Sequence, residues 1–101
     1  MKVIDTEQWA WFLFEHESSY YLDVNCNISA FGYTYMIQLN EYERKMYEVD
    51  GRTYLNKLAH EIHYSAPIGE NSKSIYKGRD VGSEFKNMVS DAVKVWRECK
   101  M

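Results

Sequence analysis

Around Asn40 the spacing of apolar residues changes from every second position to every third or fourth. This confines the chain to strands first and helices afterwards. Before the switch, Trp9 to His16 reads as a strand so rich in aromatic and apolar residues that both of its faces call for cover. Glu17-Ser18-Ser19 reads as a turn. Tyr20 to Cys26 alternates, with Tyr20, Leu22, Val24 and Cys26 on one face and Tyr21, Asp23 and Asn25 on the other. Asn27 to Phe31 is a looser connection, and Gly32 to Leu39 is a further strand rich in Tyr, Thr and Ile. Consecutive strands with short connections predict an antiparallel meander.

After the switch, Asn40-Glu41-Tyr42-Glu43 has the spacing of a capping box, so a helix should run from Glu41 to about Val49 and stop at Asp50-Gly51. A second helix, Thr53 to Tyr64, buries Tyr54, Leu55, Leu58, Ala59 and Ile62. Residues 65–80 form a polar loop, longer than compact domains usually carry. The last helix sets Phe85, Met88, Val89, Ala92, Val93 and Trp96 in one apolar stripe, with Asp80 as a cap. The expected fold is a single α+β domain spanning 1–101: an antiparallel three- to four-stranded meander followed by three helices packed on one face.

Composition supports a chain that folds without staples: 46% of its 101 residues are hydrophobic, 27% are charged, and only Pro67 is proline. A domain this long buries roughly two-thirds of its unfolded surface. Cys26 and Cys99 are expected to be free thiols, and the start, Met1 to Glu7, lacks the apolar core of a signal peptide, so the expected location is cytoplasmic and away from membranes.

Charge is unevenly spread. Residues 1–50 carry nine acids and three bases, whereas residues 51–101 carry nine bases and six acids. An acidic first half repels phosphates and suits a basic protein partner, although solvated acidic surfaces without partners are at least as common.

Chemical motifs are weak. His60 and His63 lie three apart on a helix, not the four of zinc proteases, so two solvent-facing histidines are the favoured reading over a metal site. Glu15 and His16 point to opposite sides of a strand and do not cooperate in acid–base work without a bulge. Gly69, Gly78 and Gly82 match no phosphate loop. Lys73, Lys77 and Arg79 make the long loop basic, which suits RNA or an acidic protein patch less well than simple solubility. No cofactor is implied, and binding, not catalysis, is the expected activity.

The hairpin leaves two registers open. A three-residue turn pairs His16 with Tyr20 and turns Trp9, Trp11, Leu13, Glu15, Tyr21, Asp23 and Asn25 outward. A two- or four-residue turn shifts the pairing by one and moves the tryptophan face inward.

The segments Trp9-Ala10-Trp11-Phe12-Leu13-Phe14-Glu15-His16 and Tyr20-Tyr21-Leu22-Asp23-Val24-Asn25-Cys26, the helix Leu58-Ala59-His60-Glu61-Ile62, and Tyr76-Lys77-Gly78-Arg79 ahead of a helix ending in Val95-Trp96 together resemble small bacterial immunity proteins, in particular those of contact-dependent growth inhibition systems. The likeness covers most of the chain and rests on structural patterns. It implies a cytoplasmic protein, monomeric when free, that binds the toxic domain of a cognate effector one-to-one. That domain is often a nuclease, and the inhibitor covers its active site.

The resemblance supplies no contact residues, so charge and position do. Glu15, Glu17, Tyr21, Asp23 and Asn25 on the hairpin form one candidate patch. Glu41, Glu43, Glu48 and Asp50 on the first helix form a second, and Lys77 and Arg79 in the long loop are expected to fold against the partner. Competing readings are a small phage or plasmid regulator of another cellular machine, a small ribonuclease using His16, His60 or His63, and an RNA-binding module using the basic second half.

Overall fold

A computed structural model describes residues 1–8, 10–28, 31–65 and 74–100, with the side chains of residues 27, 28, 31, 99 and 100 left aside. Trp9, residues 29–30, the stretch 66–73 with Pro67, Gly69 and Lys73, and the Cys99 thiol therefore lie outside the described residues. Four strands, β1 (Lys2–Glu7), β2 (Trp11–His16), β3 (Ser19–Ile28) and β4 (Phe31–Gln38), form an antiparallel sheet in that order. Helices α1 (Glu41–Asp50) and α2 (Arg52–Ser65) follow, then a 3₁₀ turn (Gly82–Phe85) leading into α3 (Lys86–Lys100). The protein is an α+β meander followed by helices.

Strand β1 is the strand beyond the three read from the sequence, and its alternation is broken. Val3 pairs with Phe14 but Asp5 pairs with Leu13, so Ile4 forms a bulge. Val3 packs on one face of the sheet and Ile4 on the other.

The β2–β3 turn has two residues, because His16 pairs with Ser19 and Leu13 with Leu22. Glu17 and Ser18 both adopt left-handed backbone, with φ of 49° and 69°. Positive φ at both central residues is the geometry that matches strand twist in a two-residue hairpin, although glycine and asparagine reach it more easily. The three-residue turn is thus corrected, and the tryptophan side faces inward. Trp11, Leu13, Leu22, Val24, Cys26, Tyr35 and Ile37 meet Leu55, Leu58, Ala59 and Ile62 of α2 in the main core. Burying each such Leu or Ile contributes about 1.5–3 kcal/mol.

The helices do not all pack on one face. Phe14, Tyr21 and Met36 form a second core on the opposite side, covered by Val81, Phe85, Val89, Ala92 and Val93. The cause is the composition of β2: Phe12 and Phe14 alternate with Trp11 and Leu13, so both faces are apolar and each needs its own layer. In α3, Trp96 meets Phe12 edge-on at 5.3 Å, whereas Met88, expected inside, sits at the rim.

The segment before α3 is clamped to both β4 and the helices. Asp80 is not a helix cap. It forms an isolated bridge with Ile37, and its Oδ1 accepts hydrogen bonds from the backbone N–H groups of Met36 (3.2 Å) and Gly82 (2.9 Å). Tyr76 is buried, donates its hydroxyl to Glu61 at 2.8 Å, and accepts the Tyr35 hydroxyl on its carbonyl at 2.8 Å.

Candidate functional site

Asn40 starts α1 as the capping box requires. Its side chain accepts the Glu43 N–H at 2.8 Å, and Glu43 Oε1 accepts the Asn40 N–H at 2.9 Å. That geometry turns Glu43 inward, where Arg79 reaches it with both terminal nitrogens, at 2.9 Å and 2.6 Å. Burial alone would raise the Glu43 carboxyl, but the hydrogen bonds from Arg79 and Asn40 and the Arg79 charge outweigh it and hold it below the ordinary range. Arg79 also donates to the Gln38 carbonyl at 2.9 Å. Glu43 and Arg79 therefore serve the fold, and Arg79 folds back on its own chain instead of awaiting a partner.

With Glu43 and Tyr47 turned in, the opposite side of α1 looks outward. Glu41, Glu48 and Asp50 are exposed, and between them Tyr42 and Val49 are 67% and 78% exposed. Tyr42 and Val49 lie seven residues apart and share one stripe, with Lys45 between them. Tyr64 and Ile75 are exposed as well, at 84% and 82%, but Tyr42 and Val49 are the pair framed by carboxylates.

Arg44 joins this helix to the hairpin. Its guanidinium donates to the Ser18 carbonyl at 2.6 Å, stacks 4.2 Å over the Tyr20 ring, and lies 3.9 Å from Glu48. The tip of the hairpin is thereby held beside α1, and exposed Glu17 joins the carboxylates of the helix. Of the hairpin candidates only Glu17, at this tip, is brought to the end of the molecule where α1 lies.

The remaining hairpin candidates divide. Glu15 is half-buried on the main-core side, across from Tyr20. Tyr21 is 7% exposed, with its ring 4.9 Å from Phe85, and is a core residue unable to contact a partner. Asp23 lies between Phe12 and Met36 in the sheet register. Burial, and then the Asp80 carboxylate, push it up from 3.8 to about 6. Asn25 is exposed and pairs with Thr34, and Lys77 is exposed beside Tyr76.

The histidines are dispersed. His16 meets Phe85 edge-on at 5.7 Å, and His60 stacks on Tyr64 at 5.8 Å. Among the described residues no group of three His, Cys, Asp or Glu side chains is placed to hold a metal, and no helix is long and apolar enough to cross a membrane. Cys26 is a free, fully buried thiol.

Sequence reasoning missed Tyr42 and Val49. The helical period itself contained the signal: neither falls on the stripe that Glu43 and Tyr47 turn toward the sheet. No protein-family model matches the chain, and no curated protein or solved structure matches it either.

Proposed function

We propose that this protein is a toxin-neutralising immunity protein of a contact-dependent growth inhibition system. In this reading it binds the cytotoxic domain of a cognate effector, one chain per toxin domain, and covers its active site. The observation that supports the reading is the α1 face: Tyr42 and Val49 exposed among Glu41, Glu48 and Asp50, with Glu17 of the hairpin tip alongside. A nuclease cleft is cationic because it holds phosphates, so carboxylates on a rigid helix meet it as substitutes for the substrate's charge. Tyr42 supplies the apolar centre that charge alone does not.

The test is to express the tagged protein in its own host and identify what co-purifies at low and then moderate salt. Capture of one basic toxin domain at equal stoichiometry is expected. Glu41→Lys with Asp50→Lys should then weaken that complex by about 100-fold, chiefly through slower association, and unchanged thermal unfolding confirms the fold, since both side chains are exposed. Capture of nothing, or of RNA that washes off at moderate salt, would sink the reading.

A further inference from the structure

The chain from Tyr76 to Gly82 lies along the β4 edge, and its two ends are held by different means. At the Tyr76 end, the buried ring bonds Glu61 through its hydroxyl and Tyr35 through its carbonyl. Arg79 is fixed by Glu43 and the Gln38 carbonyl. Beyond Arg79 the hold is slighter. Oδ1 of Asp80 accepts the Met36 and Gly82 N–H groups, at 3.2 Å and 2.9 Å, and the Met36 carbonyl accepts the Val81 N–H at 2.8 Å. The 3₁₀ turn follows at once and lays the Phe85 ring 4.9 Å from Tyr21, over the second core.

The sheet register sets another carboxylate beside this attachment. Met36 turns both its N–H and its carbonyl away from β3, so its pairing with Asp23 is the non-hydrogen-bonded kind, in which facing side chains stand closest. Around Asp23, β2 contributes Phe12 and β4 contributes Met36, while Tyr21 and Asn25 share its face of β3. The helical layer turns Val81, Phe85 and Val89 toward this face, and its Glu84 and Lys86 are exposed. The Cys26 thiol, farther along β3, feels the Asp23 charge. The charge that acts on Asp23 is that of Asp80: burial first, and then this carboxylate, push Asp23 up from 3.8 to about 6.

We infer that Asp80 and Asp23 form a pH-sensitive latch at the entry to α3. With Asp23 protonated, Asp80 holds Val81 and Gly82 against β4 and the latch is closed. With Asp23 ionised, two carboxylates oppose each other at the β4 edge. The stretch from Asp80 to Phe85 then lifts more often, as far back as the fixed Arg79, and bares Tyr21 and Met36. Because closure raises the Asp23 carboxyl, its contribution is complete below about 3.8 and is lost as pH rises through about 6. The inference is independent of the toxin reading, since it uses no residue of the exposed α1 face.

Amide hydrogen exchange of the full chain at pH 5 and pH 7, in water and in low urea, tests it. The Met36 and Val81 amides are expected to exchange sooner than those of Leu58 and Ile62 in α2, with little dependence on urea, as local opening requires. Corrected for intrinsic exchange, their protection should be about tenfold lower at pH 7 than at pH 5. Asp23→Asn should abolish that difference. Asp80→Asn keeps an acceptor oxygen and should only lessen it, because the burial of Asp23 remains. Exchange of Met36 and Val81 with the same protection and urea dependence as α2 would overturn the proposal. So would a pH difference that survives Asp23→Asn.

Discussion

Glu17 and Ser18 show how a local preference yields to pairing. Each sits in left-handed backbone, which costs a residue with a side chain roughly 1 kcal/mol. The alternative, a longer turn, would put Trp11 and Leu13 in water. Losing two such burials costs several times more, so the strained turn wins. Replacing Glu17→Asn together with Ser18→Gly should raise stability by about 1 kcal/mol in urea denaturation, because asparagine and glycine suit the same turn. Glu43 presents the opposite case, a charged side chain that is only 5% exposed. Glu43→Gln should cost about 3 kcal/mol, as it weakens the capping box and strands the Arg79 charge. Adding Arg79→Met should recover part of that loss, which a double-mutant cycle would measure. The capping box is legible in Asn40-Glu41-Tyr42-Glu43, but Arg79 lies 36 residues away and nothing local announces it.

At the scale of elements, α1 and α2 are stated by periodicity and caps, whereas the segment that carries Asp80 is decided by what it lies against. Asp80 bridges β4 near Asp23, and burial of Asp23 followed by the charge of Asp80 makes the ionised state of Asp23 costly. Asp23 titrates near 6 in the folded chain and at 3.8 as a free side chain, so the folded state binds its proton more tightly. Stability from this group is fully present below about 3.8 and is lost as pH rises through about 6. Glu43 acts in the other direction, since its carboxyl is held below 4.5 and its contribution disappears on further acidification. Denaturation measured from pH 7 down to 4 should therefore show stability rising toward mildly acid pH. Asp23→Asn should flatten that rise and stabilise the protein at pH 7 by on the order of 2 kcal/mol. Strand β1 was hard to read for a related reason. Its bulge breaks the alternation that marks a strand, and only the pairing with β2 restores the sense of Val3 and Ile4.

For the whole molecule, one sheet separates two cores of unequal size. Among the described residues the main core holds thirteen buried side chains, the second Phe14, Tyr21, Met36 and Ala92. Local opening follows the thinner packing, so amide hydrogen exchange should be faster in α3 than in α2, with β2 and β3 the most protected. The same layout assigns the surfaces. Helix α1, on the main-core side, leaves Tyr42 and Val49 exposed, and α3 on the far side leaves Met88 and Val95 exposed beside β1.

The sequence by itself determined that strands precede helices, the start of α1 and the buried stripe of α2. Period and capping are properties of residues within one turn or one pleat of each other. Only the tertiary structure decided that Trp11 is core and its indole N–H is satisfied by Asn56 at 2.8 Å, that helices cover both faces, and that Tyr21, Glu43 and Arg79 are internal. Each of these depends on contacts between residues far apart in the chain. A one-residue change in a turn reverses every side chain in a strand, so two-sided apolar strands leave the choice of face to the layers that close over them.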